Sequence, residues 1–347
     1  MTKRLVLCCD GTWNKADQES NGHPCPTNVV KLAYRLAKRD GSTPQIIFYD
    51  QGVGTGNVLD RFSGGAFGEG LDDNIFDAYR FLIANYEHGD EIFLFGFSRG
   101  AFTVRSIGGM IRKCGIVKRT SIDQYVPAMK LYRDSHVHPD DAAATAFRSK
   151  HSCGGETAIL VRFIGVWDTV GALGIPLRGL RWLTRREHVF HDTELSGTVQ
   201  TACHALAIDE HRAPFEPSIW KEKAKPNQTV DQVWFAGVHS DVGGGYAETQ
   251  TSDIALDWML GKASEAGLAL DQDVLRSRPL APSSTGKVHD SKSGLYKLTK
   301  GIDRPIGVGG TQSVHPTAIE RWDKDRGYRP RNLRDYFRAV GDDRASA

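Results

Sequence analysis

No apolar run in this 347-residue chain approaches the length that spans a bilayer, about 20 residues. Met1 to Arg4 is followed by only a short apolar stretch before Asp10, far less than the core of an export signal. Synthesis as a soluble cytoplasmic protein is expected, with signal-independent export as the alternative route. Cysteine is scarce and dispersed: Cys8, Cys9, Cys25, Cys114, Cys153 and Cys203 resemble reduced thiols more than a disulfide framework. Neither sign of charge dominates. The 44 Lys and Arg stand against 42 Asp and Glu and are interspersed, apart from a loose basic excess from Arg326 to Arg334. Nucleic acid is therefore not an expected partner.

What is present is the composition of a globular protein, long enough for one large catalytic domain with elaborations. Over the first 115 residues short apolar runs alternate with helical patterns, which predicts βαβ units and a mostly parallel sheet flanked by helices. Strands are predicted at Arg4 to Cys9, Ile46 to Tyr49, Ile92 to Phe95, Ala158 to Trp167 and Val233 to Val238. Helices are predicted from Thr27 to about Lys38, Leu71 to Tyr86, Gly100 to Lys113, Thr198 to Ile208 and Asp253 to Ala266, where the sheet is expected to end. Residues 1–270 thus read as the catalytic domain, with lid-like insertions at about 117–155 and 172–194. Residues 271–347 read as an extension wrapping the core.

The chemistry begins at Gly96-Phe97-Ser98-Arg99-Gly100, a G-x-S-x-G pattern. Five residues of this kind recur by chance, so context decides. Here the pattern joins a buried strand to a helix, as a nucleophile elbow requires, and Ser98 becomes the candidate nucleophile. The Arg99 amide, at the helix N-terminus, is a candidate oxyanion donor. A second donor is sought after the first strand, in Asp10-Gly11-Thr12-Trp13-Asn14, where the amide of Gly11 or Thr12 is the candidate. Asp10 and Asn14 read equally as turn-making residues or as loop contacts to substrate.

A serine nucleophile needs a base and an orienting carboxylate. His239 opens a glycine-rich loop directly after the strand Val233 to Val238, on the edge where parallel sheets gather ligands. His204 and His211 are its rivals. Asp168 ends the strand Ala158 to Trp167 on the same edge, with Asp241 and Asp209 as alternatives. The order Ser98, Asp168, His239 is the one expected of an α/β hydrolase.

Several segments carry a family resemblance: LCCDGTWN (7–14), YDQGVGTG (49–56), FGFSRGAFTVR (95–105), FIGVWDTVG (163–171), ALAIDEHR (205–212) and VWFAGVHSDVGGGY (233–246). They resemble the α/β hydrolases of domain of unknown function 2235, a family that includes type VI secretion phospholipase effectors. The resemblance implies a Ser-Asp-His triad at Ser98, Asp168 and His239, and hydrolysis of acyl esters or phospholipids. The effectors also carry a large membrane-associating region, to which these residues show no match.

Two functions compete. The first is a serine hydrolase of carboxylic esters, small or lipid, needing no cofactor or metal and touching membrane at most peripherally. Leu173, Ile175, Leu177, Leu180, Trp182 and Leu183 would then form either a lipid-binding lid or core. The second is a non-catalytic module in which acidic loops around Asp10, Asp50 and Asp241 hold a metal or polar ligand. The oligomeric state is not legible.

Overall fold

The computed structural model describes residues 2–346 other than 12–13, 15, 21, 53–65, 172–193, 222–223 and 293–300. In chain order the strands are β1 (Arg4–Cys9), β2 (Glu19–Ser20), β3 (His23–Pro24), β4 (Arg39–Asp40), β5 (Thr43–Asp50), β6 (Glu91–Phe97), β7 (Val161–Trp167), β8 (Val199–Ala207), β9 (Thr229–Phe235) and β10 (Gln312–Val314). The helices are α1 (Asn28–Ala33), α2 (Ala66–Asn85), α3 (Arg99–Cys114), α4 (Tyr125–Arg133), α5 (Ala142–His151), α6 (His239–Gly243), α7 (Gln250–Glu265), α8 (Gln272–Ser277), α9 (Pro316–Lys324) and α10 (Arg331–Val340). Among the described residues the main sheet has eight strands in the order β10-β9-β8-β7-β6-β1-β5-β4. Its strand pairs are parallel except for β4 with β5.

This is an α/β fold with a mostly parallel sheet between helical layers, and its sequence logic is direct. A strand covered on both faces must be apolar on both, so β1 alternates between two cores. Leu5, Leu7 and Cys9 join the layer of α2, α3 and α4, while Val6 and Cys8 join that of α1 and α7. Helix α3 meets the first layer with Ala101, Val104, Ile107 and Ile111, a stripe at helical spacing. Thr27 caps α1 by accepting the Val30 amide at 3.3 Å, as its position before the apolar run predicts. The chain first crosses from β1 to β5, then returns to place β6 on the other side of β1. That reversal opens a crevice at the carboxyl ends of β1 and β6, where ligands gather in such sheets.

Three expectations need correction. The span read as a helix at 198–208 contains strand β8 (Val199–Ala207) instead; lying between β7 and β9, it is buried on both faces, and its small residues (Ala202, Cys203, Ala205, Ala207) imitate a helical stripe. The sheet does not end after α7, because β10 adds to β9 in parallel. A three-residue strand reached through a long irregular segment leaves no periodic signal. The last predicted strand is also displaced: β9 stops at Phe235, and His239 begins the short helix α6. The insertion at 117–155 contains α4 and α5, whereas 172–193 and most of the glycine-rich stretch after Gly52 lie outside the described residues.

Beyond α7 the chain packs a third core. Ile306, Val314, Ala318, Trp322, Leu333 and Phe337 close over Leu206, Ile208 and Trp234 from β8 and β9. No helix among the described residues is long and apolar enough to cross a membrane.

Because this third core shares side chains with the sheet, residues 271–347 are expected to unfold with it. Phe337→Ala, at a fully buried ring set edge-on to Trp322 at 5.1 Å, should cost about 3–5 kcal/mol. In urea unfolding the tryptophan and far-UV transitions should move together. A separate early transition with an unchanged main one would mean that the C-terminal segment is an independent appendage.

Candidate active site

Strand β6 and helix α3 meet at a single residue. Ser98 has φ 57° and ψ −120°, a conformation rarely held by a residue with a β-carbon and costing about 1–3 kcal/mol. The surroundings enforce it. A β-carbon at Gly96 would stand 2.7 Å from the Ala101 Cα, and one at Gly100 would overlap the carbonyls of Cys9 and Asp10. Helix and strand can approach this closely only through glycine. The Ser98 amide donates to the Trp167 carbonyl at 3.0 Å, and its hydroxyl makes no capping bond to the helix. A β-carbon at Gly11 would lie 3.1 Å from the Ser98 Cβ, so the loop after β1 passes beside the serine. Arg99 is the first residue of α3, with its amide at the positive end of the helix.

Asp168 follows β7 with φ 41° and is fully buried. Its Oδ2 is 2.5 Å from His239 Nδ1, and its Oδ1 accepts the Ala207 amide at 3.0 Å. Arg304 donates to both oxygens, Nη1 to Oδ1 at 2.7 Å and Nη2 to Oδ2 at 3.1 Å. Burial pushes the Asp168 carboxyl up, but the Arg304 charge and the bonds from His239 and Arg304 outweigh it and hold the group well below the usual carboxylate range. The His239 ring packs between Phe97, 4.6 Å away between centroids, and Phe215 at 4.9 Å. Its amide donates to Glu210 Oε2 at 3.3 Å. Glu210 is buried and paired with Arg212 at 2.7 Å; burial raises its carboxyl, and that arginine brings it below its ordinary value.

The rivals have other partners. His204 Nε2 accepts the Thr169 amide at 3.1 Å, and burial with the nearby Arg105 charge pushes its imidazole down to about 3, so it is a neutral prop beneath the Asp168 turn. His211 Nδ1 lies 3.0 Å from the Ile302 carbonyl and 3.4 Å from Asp303. Asp209 accepts the Gly237 amide at 2.6 Å and the Tyr328 hydroxyl at 2.9 Å.

The Gly11 amide donates to its neighbour's carboxylate, Asp10 Oδ1, at 2.8 Å and is committed there. The other candidate donor, Thr12, lies outside the described residues. Asp10 is buried and also accepts the hydroxyls of Thr27 at 2.7 Å and Tyr49 at 2.9 Å, and Asn14 bonds its side chain to it as well. It is a loop anchor. Burial lifts its carboxyl to about 6 despite those bonds. Asp241 is equally occupied, by the Val238 and His289 amides at 3.0 Å and by His289 Nδ1 at 2.6 Å. Of the carboxylates considered as metal ligands, Asp10 and Asp241 are thus partnered internally, whereas Asp50, the third of them, keeps a buried Oδ2 with no hydrogen-bond partner, and burial with the nearby Asp77 and Asp10 charges lifts it to about 7. Among the described residues no group of three or more His, Cys, Asp or Glu could hold a metal.

Two participants escaped sequence reasoning. Glu210 had a signal, since it lies inside the segment ALAIDEHR, but its neighbour Asp209 drew the attention. Arg304 had none: it sits in a Gly-, Lys- and Pro-containing stretch without periodicity.

Comparison with known proteins adds the following. The family model for "T6SS, Phospholipase effector Tle1-like, catalytic domain" matches residues 3–262. The uncharacterized protein YEL023C of Saccharomyces cerevisiae (strain ATCC 204508 / S288c) is 30% identical over 233 residues, covering 62% of this chain and 32% of that protein. The crystal structure of an uncharacterized protein from Pseudomonas aeruginosa aligns with TM-score 0.47 and 18% identity over 78% of this chain and 46% of that one. The Tle1 effector bound to the VgrG spike from the type 6 secretion system aligns with TM-score 0.42 and 20% identity, over 71% and 51%. The chain thus spans about a third of the curated relative and about half of each solved chain.

Asp10 generates a pH test. With its folded value at about 6 against 3.8 for the free side chain, the folded chain keeps a proton that the unfolded chain has lost between those values. The stability due to this group falls as pH rises through that window. Asp10→Asn has no such proton, so its stability relative to wild type should rise by roughly 2–3 kcal/mol between pH 4 and pH 7 in urea unfolding. A constant difference across that range would show that Asp10 does not titrate there.

Proposed function

The chain belongs to the family of Tle1-like phospholipase-effector catalytic domains, and on that premise we propose that it is a serine hydrolase cleaving carboxylic esters of lipids. The observation that carries the reading is the 2.5 Å contact between His239 Nδ1 and a fully buried Asp168. It lies on the sheet edge where Ser98 is held at φ 57°. The distance fits a charge-assisted hydrogen bond, and such a bond fixes the imidazole tautomer that leaves Nε2 without a proton.

In this mechanism Ser98 Oγ attacks the ester carbonyl carbon while His239 Nε2 takes the hydroxyl proton. The carbonyl π electrons move onto oxygen, and the oxyanion is met by the Arg99 amide at the start of α3. Collapse re-forms the carbonyl and breaks the bond to the alcohol, which leaves with the proton from His239. Water then attacks the acyl-enzyme by the same route, giving the free acid and Ser98. Asp168 stays ionised throughout and faces the imidazolium each time it forms. The N-terminal end of α3 favours the negative charge at each tetrahedral stage.

Six free cysteines, five of them buried, suit synthesis in a reducing compartment. Of the three carboxylates on which the metal-binding alternative rests, Asp10 and Asp241 are paired internally and Asp50 is not.

A fluorophosphonate probe should label Ser98 in folded protein, and Ser98→Ala should abolish labelling. The same variant should lower turnover of p-nitrophenyl esters at least about a thousandfold, as should His239→Ala. Activity should increase with acyl-chain length and extend to phospholipids. Folded wild-type protein that resists the probe, or labelling that survives Ser98→Ala, would sink the proposal.

A further inference from the structure

The residue that most constrains Asp168 lies outside the segment matched by the family model. That match ends at residue 262, whereas Arg304 reaches the site from the irregular segment before β10. The guanidinium is fully buried. Besides its two bonds to Asp168, it donates through Nη1 to the Ala207 carbonyl at 2.9 Å and through Nη2 to the Phe215 carbonyl. It therefore ties the turn after β7 to the end of β8 and to the segment that carries Phe215, a wall of the His239 ring. Its own backbone is fixed in turn. Asn332 Nδ2 donates to the carbonyls of Arg304 and Ile208, and the Ile302 amide donates to the His211 carbonyl at 2.9 Å.

Resting on the hydrolase reading above, we propose that Arg304 is a positioning residue for the reaction at Ser98. It locks the orientation of the Asp168 carboxylate against His239, the residue that accepts the serine proton, and shares that carboxylate's charge. The His239 ring and the Ala207 amide each hold one oxygen, and the planar guanidinium fork binds both at once, fixing the carboxylate in one orientation. A carboxylate already paired with a guanidinium also offers less net negative charge to an imidazolium.

The other charged groups around His239 have their own partners. Glu210, after β8, receives the His239 amide and is neutralised by Arg212. Asp241, on α6 itself, is paired with His289, whose Nε2 lies 3.5 Å from Glu248. Phe97 and Phe215 are uncharged. Arg304 is thus the cation bonded to the carboxylate that His239 touches.

The test compares Arg304→Gln and Arg304→Lys with wild type. Turnover of a p-nitrophenyl ester is followed against pH, and the His239 ring is titrated by NMR in the Ser98→Ala background, which needs no activity. In Arg304→Gln the acidic limb and the ring titration should both move up by about one pH unit. Its plateau kcat should fall about tenfold, with KM changed less than about threefold because Arg304 does not touch substrate. Arg304→Lys keeps the charge and should retain the wild-type limb with a smaller loss of kcat. A folded Arg304→Gln whose limb and titration stay in place overturns the proposal. Should Arg304→Gln fail to fold, Arg304→Lys decides: a wild-type limb with kcat reduced at least threefold supports the role, and a shifted limb or unchanged kcat overturns it. Wild-type protein without esterase activity would refute the hydrolase reading alone, since the ring titration still reports on Arg304.

Discussion

A fully buried carboxylate at the end of β7 is the constraint around which the carboxyl edge of the sheet is organised. An isolated charge at Asp168 would be too costly to keep, and the group would protonate. It stays ionised because Arg304, His239 and the Ala207 amide together occupy its oxygens. Such an arrangement gives no net stability over an apolar core of the same shape, while losing any one partner strands the rest. What it supplies is orientation. The strained φ of Asp168 makes sense in those terms, since three partners from three parts of the chain over-determine it.

The remaining polar groups of that edge solve a related problem. Loops leaving the strands must be held without regular structure, and buried carboxylates accept the backbone amides that the loops expose. Asp10 does so after β1, Glu210 after β8, Asp209 and Asp241 after β9. Asp10 and Asp241 have the acidic, glycine-containing signature that in sequence reads equally as a ligand cluster. Their bonds decide the matter, because an oxygen accepting two donors has little capacity left for a cation.

Legibility followed the range of the interactions. The elbow was readable because everything that defines it, a buried strand, two glycines and an amphipathic helix, lies within Glu91 to Cys114. Asp168 and His239 were readable as strand-end residues, and the structure brings them into contact. Strand β8 was misread because a strand covered on both faces loses the alternation that distinguishes it from a helix. The sheet edge at β10, the commitment of the Gly11 amide and the pairing of Arg304 with Asp168 left no local trace. Each depends on a partner that only the folded chain reveals.

The same distinction bears on how the site assembles. Ser98 and the turn around it draw on β6 and α3, and also on the end of β1 and the Trp167 carbonyl. The bonds of Asp168 reach Ala207, His239 and Arg304 across sequence separations of 39, 71 and 136 residues. The entropy of closing a loop grows with its length, so the contact to Arg304 carries the largest such cost. A chain that has built its elbow but not yet docked the segment carrying Arg304 holds a serine without an oriented base. Hydrolytic competence would then arrive with the last part of the core to close, and an incompletely folded chain would be inert.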